Sequence, residues 1–409
     1  MGSADPFVIV GGGLAGAKAA ETLRAEGFDG PVVLLAAERE TPYERPPLSK
    51  GYLLGTAPRS SAQVHDPAWF DEQDVELRTG TRAVRLDAAA HRVELGSGEQ
   101  LGYAKLLLAV GSSPRRLPVP GADLDGVRYL RTLADADQLL ADLSGGGRRV
   151  VVVGAGWIGL EVAAAARHHG NAVTVVEPQP TPLHAVLGPE MGAVFARLHR
   201  DHGVDLFTDT TVRELRGSGG RVGTVVTDRH AGLDADVVVV GVGALPNVEL
   251  AAGAGLEVDN GVVTDHALRT SAPDVVAAGD VASSFSPLLG RHVRVEHWAN
   301  ALHGGPAAAR SMLGQEVVHD RVPYFFTDQY ELGMEYSGLA APGATVVCRG
   351  EPETGAFLAF WTESGRVTAG MSVGIWDATE PIQALIRARR EVQRARLADP
   401  DTPLELLAG

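Results

Sequence analysis

Short apolar runs that end on glycine alternate with alanine- and leucine-rich stretches through most of this chain. Phe7-Val8-Ile9-Val10 runs into Gly11-Gly12-Gly13-Leu14-Ala15-Gly16, and Val150-Val151-Val152-Val153 runs into Gly154-Ala155-Gly156-Trp157-Ile158-Gly159. Four apolar residues without alternation read as a strand buried on both faces, as in parallel sheets. The stretches that follow predict helices over 17–24 and 160–168. A second apolar strand comes next in each copy, over 32–36 and 172–176, and closes on an acid, Glu38 or Glu177. The chain therefore carries one strand–turn–helix–strand device twice, which predicts an α/β protein with two Rossmann-like dinucleotide-binding domains. Towards the C-terminus the pattern changes. Runs over 344–349, 355–362 and 367–373 read as strands, with Glu363-Ser364-Gly365 as a turn, and a charged helix is expected over 381–396, which together make a C-terminal α+β domain.

The chemistry of the repeated device follows from its spacing. In G-x-G-x-x-G the first glycine makes the turn, the second lets backbone approach a pyrophosphate, and the third lets helix and strand pack closely. The helix N-terminus then offers N–H donors to the anion. The acids lie 22 residues after Gly16 and 18 after Gly159, near the spacing suited to a ribose hydroxyl pair. Two structural turns that bind nothing would not require strand, glycines, helix, second strand and acid in both copies. After Glu177 the chain reads Pro178-Gln179-Pro180-Thr181-Pro182-Leu183 without a cation, so the second site favours NADH over a 2′-phosphorylated nucleotide. After Glu38 it reads Arg39 through Lys50, basic and stiffened by proline, which suits a larger dinucleotide.

Composition narrows the picture. The chain has 409 residues, a length that suggests two to three domains, and a formal charge of −15, which argues against salt-driven contact with nucleic acid or an anionic membrane. No apolar stretch reaches the length of a membrane span and no targeting segment is evident, so a cytoplasmic protein is expected. The single cysteine, Cys348, excludes a disulfide framework, a cysteine-ligated cluster and an intramolecular dithiol pair. His199, His202, Glu316 and His319 form no set with metal-ligand spacing, and no metal site is expected.

The segment Tyr43-Glu44-Arg45-Pro46-Pro47-Leu48-Ser49-Lys50, set between two nucleotide folds, resembles the FAD-dependent NADH:ferredoxin reductases of the putidaredoxin and rubredoxin reductase type. The resemblance runs along essentially the whole chain. It continues through Leu106 to Gly111, Gly241-Val242-Gly243, Val275 to Ala282, Val295 to Ala301 and Pro323 to Tyr330. It implies a glutathione-reductase-like architecture: an FAD domain over 1–112 and 243–322, an NADH domain over 113–242, and a C-terminal domain over 323–409. It implies FAD contacts from Gly11, Gly13, Leu14, Ala15 and Gly16, from Glu38 and Arg45, and from Val84, Ala109, Gly111 and Arg131. Gly279, Asp280, Val281 and Trp298 complete that side. NADH would meet Gly154, Gly156, Trp157, Ile158 and Gly159, with Glu177 and Gly241, Val242 and Gly243. Lys50 would answer the charge that develops on reduced flavin, and Glu161 would hold Lys50 and seat the nicotinamide; these two are the catalytic candidates.

Bland alternatives stand beside these roles. Lys50 could be a solvated loop lysine, Glu161 an acid at a helix N-terminus, Arg45 and Arg131 surface ion pairs, Asp280 a helix cap, and Trp298 ordinary core. The family reading implies electrons passed singly to an iron–sulfur ferredoxin that feeds an oxygenase, such as a haem monooxygenase. Other readings are a rubredoxin- or nitrite-reductase-type electron donor and an NADH-responsive signalling flavoprotein like apoptosis-inducing factor. A disulfide reductase fails because no cysteine pair stands over 41–50. Ferredoxins of this kind are usually acidic, so docking on an acidic chain requires a basic patch, for which Arg291, Arg294, Arg310 and Arg321 are candidates. Two departures from the family pattern, Phe326-Thr327 in place of Trp-Ser and the stretch Gly370 to Asp377, fall in the C-terminal domain and are expected to affect the partner side only.

Overall fold

The computed structural model describes residues 5–341 and 343–409. They divide into two compact units, each built around its own parallel sheet.

The first unit takes in the chain up to Arg45, Ala62–Ser113 and Leu245–Pro323. Its five-stranded sheet has the spatial order Val275–Ala277, Lys105–Leu108, Phe7–Val10, Val32–Leu35 and Val75–Arg78, with every pair parallel. Val8, Ile9, Leu34 and Leu107 lie at the centre, all under 4% exposed, as four-residue runs without alternation require. The helix Leu14–Ala25 leaves the central strand through the first glycine turn and packs on the helix Trp298–Met312.

The second unit takes in Pro46–Ser61, Pro114–Ala244 and Tyr324–Gly409. Its parallel sheet has the order Val204–Phe207, Ala172–Val176, Arg149–Val153, Val237–Val240 and Val127–Arg128. The helix Trp157–His168 follows the second glycine turn. A separate antiparallel sheet has the order Tyr324–Gln329, Leu332–Gly338, Arg366–Val373, Ala356–Glu363 and Thr345–Glu351. Phe357, Trp361 and Met371 from this sheet share one core with Leu160, Val175 and Phe195, and the Trp361 indole N–H donates to the Leu187 carbonyl at 3.1 Å. Residues 46–61, which the family reading assigns to the FAD domain, fall in this second unit.

Most elements lie where the pattern places them, with two differences. Both glycine-turn helices begin earlier than read, at Leu14 and Trp157, because the third glycine of each motif lies inside the first helical turn. The expected helix over 381–396 is instead Thr379–Ala388, ended by Arg389 in the left-handed region (φ 50°), and a short Arg394–Ala398 turn of helix. Between them Val392 N–H donates to the Gly365 carbonyl at 2.8 Å and Glu391 bridges to Arg366. Pairing with the hairpin end pulls this segment out of helical geometry.

Candidate nucleotide turns and a buried lysine–glutamate site

In the first unit, Gly11 has φ 128° and a Cβ placed on it would lie 2.1 Å from the Ala109 carbonyl oxygen. A Cβ on Gly16 would lie 2.1 Å from the Gly11 carbonyl, whereas one on Gly13 would meet nothing within 4 Å. The outer glycines are therefore demanded by the fold, and the middle one faces open space. The second unit repeats this: a Cβ on Gly154 (φ 99°) would lie 2.5 Å from the Gly241 carbonyl and one on Gly159 2.1 Å from the Gly154 carbonyl. Gly156 is again roomy, its nearest neighbour 3.9 Å away. The N-caps of both helices are glycines without a side-chain cap, which leaves the first-turn N–H groups for an anion. Both turns fit a pyrophosphate.

The acids that close each device are already engaged. The Tyr43 hydroxyl donates to Glu38 at 2.5 Å, and Arg45 lies 3.7 Å from the same carboxylate and 5.5 Å from the Tyr43 ring centre. Glu177 is 9% exposed and accepts from the Ala155 and Gln179 backbone N–H groups at 2.7 and 2.9 Å, which ties the strand end to the glycine turn. Each carboxylate oxygen keeps a second lone pair for a ribose hydroxyl. Beside this turn, Gly241 N–H donates to the Val153 carbonyl at 2.8 Å; Val242 is half-buried and Gly243 exposed. Trp157 packs edge-on to Phe195 and tilted against Phe325, whereas Ile158 is 44% exposed at the helix start.

On the first unit's other edge, Asp280 sits in the short turn Gly279–Val281 and accepts from the Ser112 hydroxyl at 2.9 Å. Gly279 and Gly111 both take positive φ, 77° and 66°. Val281 is 0% exposed. Leu14, Ala15 and Ala109 are also buried, and Val84 is exposed on the strand Ala83–Asp87. Trp298 opens its helix with the indole N–H donating to Glu44 at 3.0 Å, so it is neither ordinary core nor solvated. In the second unit, the Arg131 backbone N–H joins the capping box of the helix Leu133–Leu143 through Asp135.

The cluster around Glu161 has the densest chemistry. Glu161 is 4% exposed in the first turns of the helix Trp157–His168. Its Oε1 forms an ion pair with Lys50 Nζ and accepts from the Thr327 hydroxyl at 2.5 Å, and its Oε2 accepts from the Ser49 hydroxyl at 2.5 Å. Lys50 Nζ also lies 5.2 Å from the Phe326 ring centre. A buried carboxylate survives because a cation and two donors meet it. The bland readings of Lys50 and Glu161 as a loop lysine and a helix-end acid do not describe this arrangement. Nor is the Phe326-Thr327 departure confined to a partner side: both residues meet the Lys50–Glu161 pair. No sequence signal marks Ser49 as a site residue, whereas the departure at 326–327 is the signal that points to Thr327.

The family model of the pyridine nucleotide-disulphide oxidoreductases matches residues 5–305, and that of the reductase C-terminal domain matches 324–408. The chain belongs to the pyridine nucleotide-disulphide oxidoreductases. That family uses FAD and NAD(P)H, in keeping with two pyrophosphate turns. The chain is 44% identical to the anthranilate 1,2-dioxygenase system ferredoxin–NAD(+) reductase component of Burkholderia cepacia, over 98% of this chain and 99% of the relative. It is 39% identical to rhodocoxin reductase of Rhodococcus erythropolis, over 98% and 93%. Among solved structures, the covalent putidaredoxin reductase–putidaredoxin complex matches with a TM-score of 0.95 and 36% identity, over 99% of this chain and 98% of that one. With one cysteine in the whole sequence, this member cannot run the dithiol chemistry in its family's name. No helix among the described residues is long and apolar enough to cross a membrane.

Proposed function

We propose that this protein is an FAD-containing, NADH-dependent ferredoxin reductase. In this reading it is a cytoplasmic electron donor to an iron–sulfur ferredoxin that feeds an oxygenase. Full-length likeness to reductase components of oxygenase systems supports the reading. The observation that carries it is two fitted pyrophosphate turns in a chain without a dithiol. FAD supplies the exchange between two-electron and one-electron transfer. The first unit would hold it through the Gly11–Gly16 turn, Arg45 and Asp280. The Gly154–Gly159 turn would hold NADH, with Glu177 accepting from the ribose and excluding a 2′-phosphate. The remaining residues given cofactor contacts above, Val281 among them, keep those roles as part of the proposal. Likewise, the partition into FAD, NADH and C-terminal domains belongs to it. Glu161 fixes Lys50, and the Lys50 charge favours a reduced, more negative flavin; hydride transfer itself needs no acid or base from the chain.

The test is an absorption spectrum of the purified protein, then anaerobic titration with NADH and NADPH, then turnover with a ferredoxin–cytochrome c couple. A yellow protein bleached by stoichiometric NADH, with rapid coupled turnover, is expected. A colourless protein, or one that prefers NADPH, would overturn the cofactor assignment. Slow flavin reduction with a long-lived charge-transfer band and no ferredoxin turnover would favour the signalling flavoprotein.

A further inference from the structure

Behind Glu161 a line of polar side chains runs into the interior of the second unit. Thr327, Gln329 and His199 are each 0% exposed, an unusual concentration of polar atoms for a core. Gln329 Nε2 lies 3.2 Å from Thr327 Oγ1, His199 Nε2 lies 2.9 Å from Gln329 Oε1, and the Tyr330 hydroxyl lies 3.3 Å from His199 Nδ1. Tyr330 in turn stacks on His202 with ring centres 3.7 Å apart.

The direction of every bond follows from one end. An ionised carboxylate only accepts, so the Thr327 hydroxyl must donate to Glu161. Its oxygen then receives from the Gln329 amide NH2, which turns the Gln329 carbonyl towards His199. The facing Nε2 must therefore carry the imidazole proton. His199 Nδ1 is left bare to accept from Tyr330. His199 is neutral near pH 7, because burial pushes it down to about 4, and the neutral ring is the form that both donates and accepts. The amide in the middle blocks proton transfer along the chain, since passage would require an imidic acid. What the line does is orient: each bond polarises the next towards Glu161.

We propose that His199 and Gln329, acting through Thr327, are positioning residues that fix the Glu161 carboxylate against Lys50. His199 comes from the helix His184–Asp201, and Thr327 and Gln329 from the first strand of the antiparallel sheet. The C-terminal sheet is thereby part of the lysine–glutamate site. The inference rests on the reading above in which Glu161 and Lys50 serve the nicotinamide and the flavin.

The test uses the full-length holoprotein and reads NAD+ affinity by calorimetry alongside kcat and KM for NADH. Thr327→Val and Gln329→Met remove donors at nearly constant shape, and His199→Phe removes the far end. Each is expected to weaken NAD+ binding and raise KM for NADH, about tenfold for Thr327→Val and about threefold for the other two, from a lost buried hydrogen bond. Thr327→Ser, which keeps the hydroxyl, should restore wild-type values. In a Glu161→Gln background the His199→Phe effect should vanish, because there is no carboxylate left to position. Additive effects in that background, or equal effects of Thr327→Ser and Thr327→Val, would overturn the inference. Should His199→Phe fail to fold, Gln329→Met carries the same cycle. If Glu161→Gln itself changes neither NAD+ binding nor turnover, the site assignment fails instead, and the two failures are distinct.

Discussion

At the scale of single residues, the glycine turns separate two roles that spacing alone merges. Gly11 and Gly154 are required by the protein, since any side chain there would enter a neighbouring carbonyl at positive φ. Gly13 and Gly156 face open space, so on the proposed function their lack of a side chain serves the ligand and not the fold. Gly154→Ala is therefore expected to lose several degrees of Tm, about 2–4 kcal/mol of stability, by differential scanning fluorimetry. Gly156→Ala should keep the apparent Tm within about 0.5 kcal/mol of wild type while raising KM for NADH about tenfold. A Gly156→Ala protein that binds NADH normally would show that the turn does not cradle the pyrophosphate. The motif itself was readable in the sequence because its spacing is local. The Glu161 cluster was readable only as a pair. Lys50 stands 111 residues from Glu161 and Thr327 a further 166, and no periodicity reports which distant polar residues a fold will bury together.

At the scale of elements, strands announced themselves by apolar runs, and the helix after each glycine turn was legible to within one turn. The helix Trp298–Met312 was not: its Gly304-Gly305 pair and internal Pro306 argue locally against helix. Tertiary packing explains it. A Cβ on Gly305 would lie 2.3 Å from the Ala15 carbonyl, so the glycine exists to let this helix approach the helix of the first turn. A Cβ on Gly304 would come no closer than 3.6 Å to anything. Gly305→Ala should thus destabilise the protein by about 2–3 kcal/mol and lower its flavin content, because Ala15 belongs to the glycine turn itself. Gly304→Ala should be close to neutral in both the Tm and the ratio of flavin to protein absorbance. Equal behaviour of the two variants would remove the close-approach argument. The C-terminal helix falls short of its expected range for the opposite reason: pairing with a hairpin end overrides a charged, helix-favouring stretch.

At the scale of the whole molecule, charge acts twice. The −15 net charge makes docking of an acidic ferredoxin depend on local arginines, yet Arg294 and Arg310 are spent on Glu296 and Glu26. Arg291 and Arg321 are exposed and form no ion pair among the described residues. Their charge reversal should therefore raise KM for ferredoxin about threefold at low ionic strength and flatten its salt dependence, whereas unchanged salt dependence would exclude them as a docking patch. Protonation is the second effect. Burial holds His199, His297 and His319 at about 4, below the ordinary value near 6.5. Between those values the unfolded chain binds protons that the folded chain refuses, so stability rises with pH across this window and is lost as pH falls through it. For the fully buried His199 the loss approaches about 3 kcal/mol once pH reaches its folded value. Urea unfolding between pH 6.5 and 4.5 should show ΔG falling steadily with acid, and the slope should become shallower by close to one proton in His199→Phe. An unchanged slope in that variant would mean that His199 is protonated in the folded protein. It could not then accept from Tyr330 while donating to Gln329, and the ordered line of donors aimed at Glu161 would lose its far end.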